Sequence, residues 1–254
     1  GGLPRMPGGK TELGSAATPN LDQLAALSTC GLMEPVLPGV TPGSGPAHLA
    51  LFGYDPVEYQ IGRGVLEALG ASFPVQPGDL CIRINFATAD SGGIITDRRA
   101  GRIENSEMER ICEKLQAAVA APGYELFVHP VKEHRAALVL RGPGLYDRLN
   151  DTDPQVTGKL PAELNAAEPG KGEATVGLRN TIVESAWKVL ADESEANAIL
   201  LRGISFYHPL PTMEERDGLR ALALAAYPMY RGLASLVGMT VDRRPQDWGQ
   251  TLDV

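Results

Sequence analysis

Ser44 is the residue of this chain whose surroundings best suit a nucleophile. It lies in a bend made by Pro42, Gly43 and Gly45, directly before the apolar helical run 47–52. Such a bend places a hydroxyl at a helix N-terminus, where N–H groups and the macrodipole favour phosphate oxygens. Serine needs a base, a metal or a lowered pKa to react, and similar bends also serve as plain helix caps. The bend alone therefore leaves a nucleophile and a helix cap as alternatives.

A cluster of arginines is the second feature that could do chemistry. Arg98, Arg99 and Arg102 fall within five residues at the end of a predicted strand. Arginine forks bind phosphate and carboxylate groups through two hydrogen bonds at once. The alternative is a solvated basic loop. Because the whole chain has a net charge of -8, an anionic ligand would have to be met by such a local cluster.

The elements that must position these residues follow from periodicity. Thr18 and Pro19 predict a helix start, and residues 80–86 alternate as a strand with one polar face. Gly92 and Gly93 predict a hairpin turn. Further elements are predicted as extended pieces at 32–33 and 36–37, strands at 124–128, 136–140, 198–201 and 240–241, and a helix at 175–190. Capping boxes at Ser106/Glu109 and Thr212/Glu215 open two more helices, the second of which runs to about residue 226, and another helix runs from Pro228 to about residue 238.

The pattern changes near Val75 and again near Tyr207, where prolines interrupt the regular elements. Between these points the strands and helices predict an α+β unit with a mainly antiparallel sheet, and residues 151–172 a long loop. We therefore predict a domain of residues 76–206 inserted into an outer unit made of residues 1–75 and 207–254.

Several ordered blocks resemble the archaeal-type, cofactor-independent phosphoglycerate mutases of the alkaline phosphatase superfamily. The main one is PGSGPAHLALFGYDP (42–56) followed by IGRGVLEALG (61–70). The others are GGKTEL (8–13), TPNLDQLA (18–25), RINFATAD (83–90), DRRAGRI (97–103), NDTDPQVTGK (150–159), ANAILLRG (196–203) and AAYPMYRGLASLVGM (225–239). The resemblance covers nearly the whole chain.

That resemblance implies an α/β fold. It consists of an alkaline-phosphatase-like outer domain, which is incomplete here, and an inserted α+β domain that binds the substrate. It implies that a phosphoserine at Ser44 carries the phosphoryl group between 3-phosphoglycerate and 2-phosphoglycerate. Related phosphomutases or phosphatases, and a truncated or degenerate homologue that binds phosphoglycerate without turnover, stay as alternatives. The resemblance gives a role in substrate binding to Arg98, Arg99 and Arg102. Further candidates for substrate binding are polar residues at predicted strand ends and loops, namely Asn85, Thr88, Arg135, Asp153 and Arg202, together with Arg231 of a predicted helix.

Some of these roles have structural alternatives. Asp153 could orient a substrate hydroxyl or form a turn, and Arg231 could lie beside the phosphoserine or on the surface. His48 is one helical turn after Ser44 and could be a ligand or a base, although a histidine bonded to the helix backbone is favoured. His129, His134 and His208 show no spacing typical of metal ligands.

The family uses two divalent metal ions, Mn²⁺, Mg²⁺ or Zn²⁺, and Ser44 is the only metal ligand that the resemblance identifies in this chain. The family's other ligands match no residue of it. The acidic net charge disfavours nucleic-acid and membrane-surface partners. Three cysteines without paired spacing, and no apolar run long enough for a membrane span, predict a soluble cytoplasmic protein that acts on a small molecule.

Overall fold

The structure is a computed structural model, and it describes residues 6–31, 33–40 and 42–244. In this part of the chain the helices are α1 Glu12–Ser15, α2 Pro19–Leu27, α3 Ser44–Leu51, α4 Arg63–Gly70, α5 Asn105–Ala118, α6 Glu173–Val189, α7 Met213–Asp217 and α8 Pro228–Leu236. The strands are β1 Leu80–Ala89, β2 Ile95–Asp97, β3 Glu125–Lys132, β4 Arg135–Arg141, β5 Ala198–Phe206, β6 Leu222–Leu224 and β7 Thr240–Asp242. None of these helices is long and apolar enough to cross a membrane.

Strand β1 is the centre of a five-stranded antiparallel sheet. It pairs with β4 and with β5, while β3 adds beyond β4 and β2 pairs with the end of β1. The predicted strands and the antiparallel arrangement are confirmed. β5 is longer than predicted, because it continues past Leu201 to Phe206.

The two faces of the sheet carry different residues. Leu80, Ile82, Ile84 and Phe86 of β1 pack into the main apolar core with the buried residues of α5 and α6. On the opposite face Cys81 packs with residues of α4. Because side chains alternate along a strand, Arg83 and Asn85 share the α4 face with Cys81. The α4 face of the sheet therefore changes from apolar to charged along β1.

Helices α4 and α8 come from distant parts of the chain and touch through their backbones. A Cβ atom at Gly70 would lie 1.9 Å from the carbonyl oxygen of Pro228, and one at Gly232 would lie 2.0 Å from that of Leu66. Only glycine permits so close an approach. The contact brings the start of α8 next to the end of α4.

Three sequence-based expectations are wrong. Helix α5 begins at Asn105 with Glu104 as its N-cap, and its cap makes no side-chain hydrogen bond, so Ser106 and Glu109 form no capping box. The capping box at Thr212 is present, but α7 ends at Asp217 because Gly218 adopts φ +67°. Residues 36–37 lie in bends instead of an extended piece, while residue 32 lies outside the described residues.

Helix α2 is confirmed, but no residue in the described part of the chain covers its apolar stripe. Leu21, Leu24 and Leu27 are 57%, 61% and 82% exposed, and the helix contains no buried residue. Strands β6 and β7 pair in parallel as a separate two-stranded sheet beside α8.

Candidate active site

Ser44 is the first residue of α3, with Gly43 as the N-cap. The first hydrogen bond inside the helix runs from the Ala47 N–H to the Gly43 carbonyl. The N–H groups of Ser44 and Gly45 thus lie in the first turn of the helix, where no intrahelical hydrogen bond uses them. Ser44 is exposed, so its hydroxyl can be reached by a ligand.

His48 holds this helix start together. Its Nδ1 lies 2.7 Å from the carbonyl oxygen of Ser44, to which it donates a hydrogen bond, and its ring stacks on Tyr230 at 4.8 Å. This is the backbone-bonded histidine that the sequence favoured over a ligand or a base. His48 therefore acts on the conformation of Ser44.

Ser44 opens into a cavity of about 400 Å³, a volume typical of small-ligand sites. Its wall is built by the bend before α3, by the start of α4, by β1 and by the start of α8. The lining residues are Gly43, Ser44, Gly45, Pro46, Ile61, Arg63, Leu66, Arg83, Tyr227 and Met229. Two arginines, Arg63 and Arg83, thus face the same space as the serine.

Behind the cavity the charged part of the sheet forms a connected set. The Nε of Arg83 donates to Asn85 Oδ1 at 2.8 Å, and Arg135 donates to the hydroxyl of Tyr227 while its guanidinium lies 4.7 Å above the ring. Glu67 of α4 is fully buried beside both arginines. Burial lowers the pKa of Arg83, and Arg135 lowers it further, while the charge of Glu67 raises it.

A second set of charges adjoins the first. Arg202 of β5 is the cross-strand partner of Arg83, so the two side chains are neighbours on one face. Arg202 bonds Asp153 at 3.0 Å, and Arg98 holds the same carboxylate through two hydrogen bonds of 2.7 and 2.8 Å. Burial favours a raised pKa for Asp153, but the bonds from Arg98 and from the Gln155 N–H and the charge of Arg202 outweigh it, so the pKa lies below its usual value. The Asp153 side chain is completely buried, so it touches Arg98 and Arg202 instead of open space.

The loop that carries the other predicted arginines has an unusual backbone. Ala100, Gly101 and Arg102 have φ values of +45°, +60° and +57° in succession. Non-glycine residues rarely adopt this region, and such strain concentrates at functional sites. The Asp97 carboxylate accepts the N–H groups of Arg99 and Gly101, which holds the loop in this shape.

His134 is buried beside this loop. Burial and the charges of Arg135, Arg83, Arg102 and Arg99 lower its pKa to about 4. The imidazole is therefore neutral at physiological pH. Arg99 is exposed, and Arg102 is exposed with an ion pair to Glu133 at 3.2 Å.

The structure brings Asn85, Arg135 and Arg202 together around Arg83, and Arg98 joins them through Asp153. It keeps two predicted residues apart from this set. The Thr88 hydroxyl donates to the Glu195 carbonyl, and the Nε of Arg231 donates to the Ala225 carbonyl at 2.6 Å. Neither Arg231 nor the loop arginines line the cavity of Ser44.

The described residues do not by themselves fit a two-metal site. Among them no group of three or more His, Cys, Asp or Glu side chains lies close enough to hold a metal ion. Ser44 has arginines and helix N–H groups around it, which suit an anion.

Sequence reasoning missed four residues of the site: Arg63, Arg83, Glu67 and Tyr227. A signal was present for two of them. Arg63 stands between two glycines at the start of an apolar helix, and Arg83 is a charge in the middle of the polar face of a strand. Glu67 and Tyr227 gave none, because their partners come from other elements.

Comparison with known proteins identifies the family. The model of the family described as 2,3-bisphosphoglycerate-independent phosphoglycerate mutase matches residues 25–196. The chain belongs to this family. A Thermus thermophilus protein named "Probable 2,3-bisphosphoglycerate-independent phosphoglycerate mutase" is 49% identical over 95% of the chain, and an Aquifex aeolicus protein of the same name is also 49% identical over 95%. The chain covers 59% and 61% of these two relatives, so it spans about three-fifths of their length.

Solved structures agree with the family assignment. The cofactor-independent phosphoglycerate mutase of Thermoplasma acidophilum matches with a TM-score of 0.60 and 34% identity, over 78% of the chain and 56% of that protein. A Pyrococcus horikoshii protein matches with a TM-score of 0.70 and 24% identity, over 90% of the chain and 54% of that protein, and it supports the fold alone.

Proposed function

We propose that this chain carries the phosphoryl-accepting serine and the substrate arginines of a phosphoglycerate mutase that interconverts 3-phosphoglycerate and 2-phosphoglycerate. The observation that carries the proposal is the cavity in which Ser44, at the start of α3, faces Arg63 and Arg83. Helix N–H groups and guanidinium forks are the donors that a phosphoryl group needs. The choice of reaction in this proposal rests on membership of the phosphoglycerate mutase family.

In this proposal the Ser44 oxygen loses its proton and attacks phosphorus, the bond between phosphorus and the substrate oxygen breaks, and that oxygen takes up a proton and leaves as a hydroxyl. The N–H groups of the helix start and the two cavity arginines bind the phosphoryl oxygens and so stabilise the charge that develops there. Arg98, Arg99 and Arg102 hold the glycerate while it turns, and its other hydroxyl takes the group back.

The family resemblance also implies two divalent metal ions, Mn²⁺, Mg²⁺ or Zn²⁺, which would lower the pKa of the serine hydroxyl. Of the described residues, Ser44 is the only ligand that the resemblance identifies, so the metal requirement stays a proposal. We therefore expect the chain by itself to show no more than trace turnover.

The arrangement of elements supports the proposed division of the chain. The antiparallel sheet lies wholly between Leu80 and Phe206, whereas α4 and α8, from either side of it in sequence, pack on each other. We propose an alkaline-phosphatase-like outer unit of residues 1–75 and 207–254 with residues 76–206 inserted. The free thiols Cys30, Cys81 and Cys112 suit the reducing cytoplasm.

The test is phosphoryl transfer to the chain. With labelled 3-phosphoglycerate and excess Mn²⁺ in a prolonged incubation, the wild-type chain should slowly gain a phosphoryl group on Ser44, as shown by intact mass and peptide mapping. A single transfer per chain is compatible with trace turnover. Ser44→Ala should gain none, whereas the control Ser106→Ala, at an exposed helix position, should label normally. Labelling of Ser44→Ala would refute the nucleophile. A panel of phosphate esters distinguishes a mutase from a related phosphatase, and binding without labelling would favour the non-catalytic homologue.

A further inference from the structure

Glu67 is a buried carboxylate that contacts the cations of the site without reaching the cavity. It lies on α4 with no solvent exposure. One of its oxygens, Oε1, is 3.4 Å from Arg83 Nη1 and 3.7 Å from Arg135 Nη1. Among the described residues neither carboxylate oxygen has a hydrogen-bond partner. Burying an ionised carboxylate costs free energy unless it is paired, so the guanidiniums of Arg83 and Arg135 are the groups that stabilise Glu67 in this position.

Both guanidiniums touch groups of the cavity at their other side. Arg83 lines the cavity, and its Nε is held by Asn85. Arg135 donates to the hydroxyl of Tyr227, which lines the same cavity. Glu67 therefore stands behind the wall that faces Ser44.

Charge explains why a carboxylate is needed there. Arg63 and Arg83 line the cavity, and Arg135 contacts the lining residue Tyr227. Burial raises the pKa of Glu67, and the charges of Arg83, Arg135 and Arg63 oppose that rise. In its ionised form Glu67 leaves these three arginines with an excess of two positive charges. A bound phosphoryl group carries about two negative charges. Without Glu67, repulsion from Arg135 and Arg202 would push the Arg83 guanidinium toward solvent. The contact with Glu67 is an ion pair without a hydrogen bond, so it uses none of the Arg83 donors.

We propose that Glu67 is a positioning residue that holds the Arg83 guanidinium at the cavity wall, and that it thereby sets the affinity for the phosphoryl group. The role of the cavity in this inference rests on the proposed function. Glu67 touches no substrate, and its effect passes through Arg83.

The test combines Glu67→Gln, which keeps the shape and removes the charge, with Arg83→Met and the double variant. Affinity for 3-phosphoglycerate is measured by calorimetry on the full chain. We expect about a tenfold loss for Glu67→Gln, a larger loss for Arg83→Met, and a double variant within about threefold of Arg83→Met. Asp79→Asn is the matched control, because Asp79 is a buried carboxylate paired with Arg141 outside the cavity, and it should bind normally.

A second readout needs no ligand. The Arg83 Nε–H, bonded to Asn85, should give an NMR signal protected from exchange in the wild type, in Asp79→Asn and in the charge-keeping Glu67→Asp, and should lose protection in Glu67→Gln. Unchanged protection and affinity in Glu67→Gln, or losses that multiply in the double variant, would overturn the positioning role. If the wild type does not bind 3-phosphoglycerate, or if Arg83→Met binds it normally, the proposed function of the cavity fails, and the NMR signal still decides the positioning of Arg83.

Discussion

Two ion pairs in the described part of the chain have nearly the same geometry, and we propose a role in the site for only one of them. Arg98 grips Asp153 with bonds of 2.7 and 2.8 Å, and Arg141 grips Asp79 with bonds of the same two lengths. The arginine side chains are 24% and 23% exposed, and the aspartates 0% and 1%. Each aspartate also accepts one backbone N–H. Asp79→Asn is therefore a close control for Asp153→Asn.

We expect both substitutions to lower the free energy of unfolding by similar amounts. Removing one partner of a buried pair costs roughly 3–5 kcal/mol, and the partial exposure of the arginines reduces this to about 2–3 kcal/mol. Asp153→Asn should cost slightly more, because Arg202 also loses a bond of 3.0 Å. Urea unfolding followed by circular dichroism measures both values.

Substrate affinity should differ between the two variants. In Asp153→Asn the Arg98 guanidinium is no longer fixed, so calorimetry should show about a tenfold weaker binding of 3-phosphoglycerate, whereas Asp79→Asn should bind as the wild type does. Equal losses in both variants would mean that stability alone controls binding. Normal binding by Asp153→Asn would refute a role for this pair in the site.

The pH dependence gives an independent check on the same pair. The folded state lowers the pKa of Asp153, so its contribution to stability is complete above the unfolded pKa near 4 and is lost as the pH falls through the lowered value. The wild type should therefore lose more stability than Asp153→Asn over that acidic range.

Two further predictions concern buried charged or titratable groups. Arg179 is fully buried, and in the described part of the chain its guanidinium has no hydrogen-bond partner. Burial lowers its pKa to about 10, although the charge of Asp151 opposes that shift. Because this burial costs roughly 3 kcal/mol, Arg179→Met should raise the free energy of unfolding, measured in urea, by about 1–3 kcal/mol. A loss of stability would contradict this. His134, whose pKa is near 4, should show no titration by proton NMR between pH 8 and 5. The free energy of unfolding should fall as the pH drops from about 6.5, because the histidine of the unfolded state then binds a proton and that of the folded state does not. A midpoint near 6.5 would refute it.

Local signals explain why much of the fold could be predicted. The alternation along β1 and the glycine pair after it predict the central hairpin, and Pro19 and Pro228 mark real helix starts. The bend before Ser44 predicts the start of α3 because glycine and proline restrict the backbone there without help from distant residues. The false capping box at Ser106 shows the limit of such signals. Asn105 bonds the Glu133 N–H instead, so a tertiary contact decides where α5 begins.

The site itself was less predictable because its members meet only through tertiary pairing. Arg98 and Arg135 are recognisable as arginines at strand ends, and Arg202 follows the predicted strand 198–201, but their partners are not recognisable. The burial of Glu67 depends on packing of α4 against the sheet, and Tyr227 reaches the cavity because α8 touches α4 at Gly70 and Gly232. No pattern within α4 or α8 alone contains that information.

Strand register decides the position of Arg202. The pairing of β1 with β5 shifts by one residue between Cys81, which faces Ser205, and Arg83, which faces Arg202. Without that bulge Arg83 would face Gly203, and Arg202 would point to the opposite, apolar side of the sheet. Gly203 makes the shift possible with φ +58°, and a Cβ atom there would lie 2.7 Å from that of Arg63. One glycine therefore turns Arg202 toward Arg83 and lets Arg63 approach the same wall. In this way an acidic chain places two arginines in the cavity of Ser44 and a third next to them.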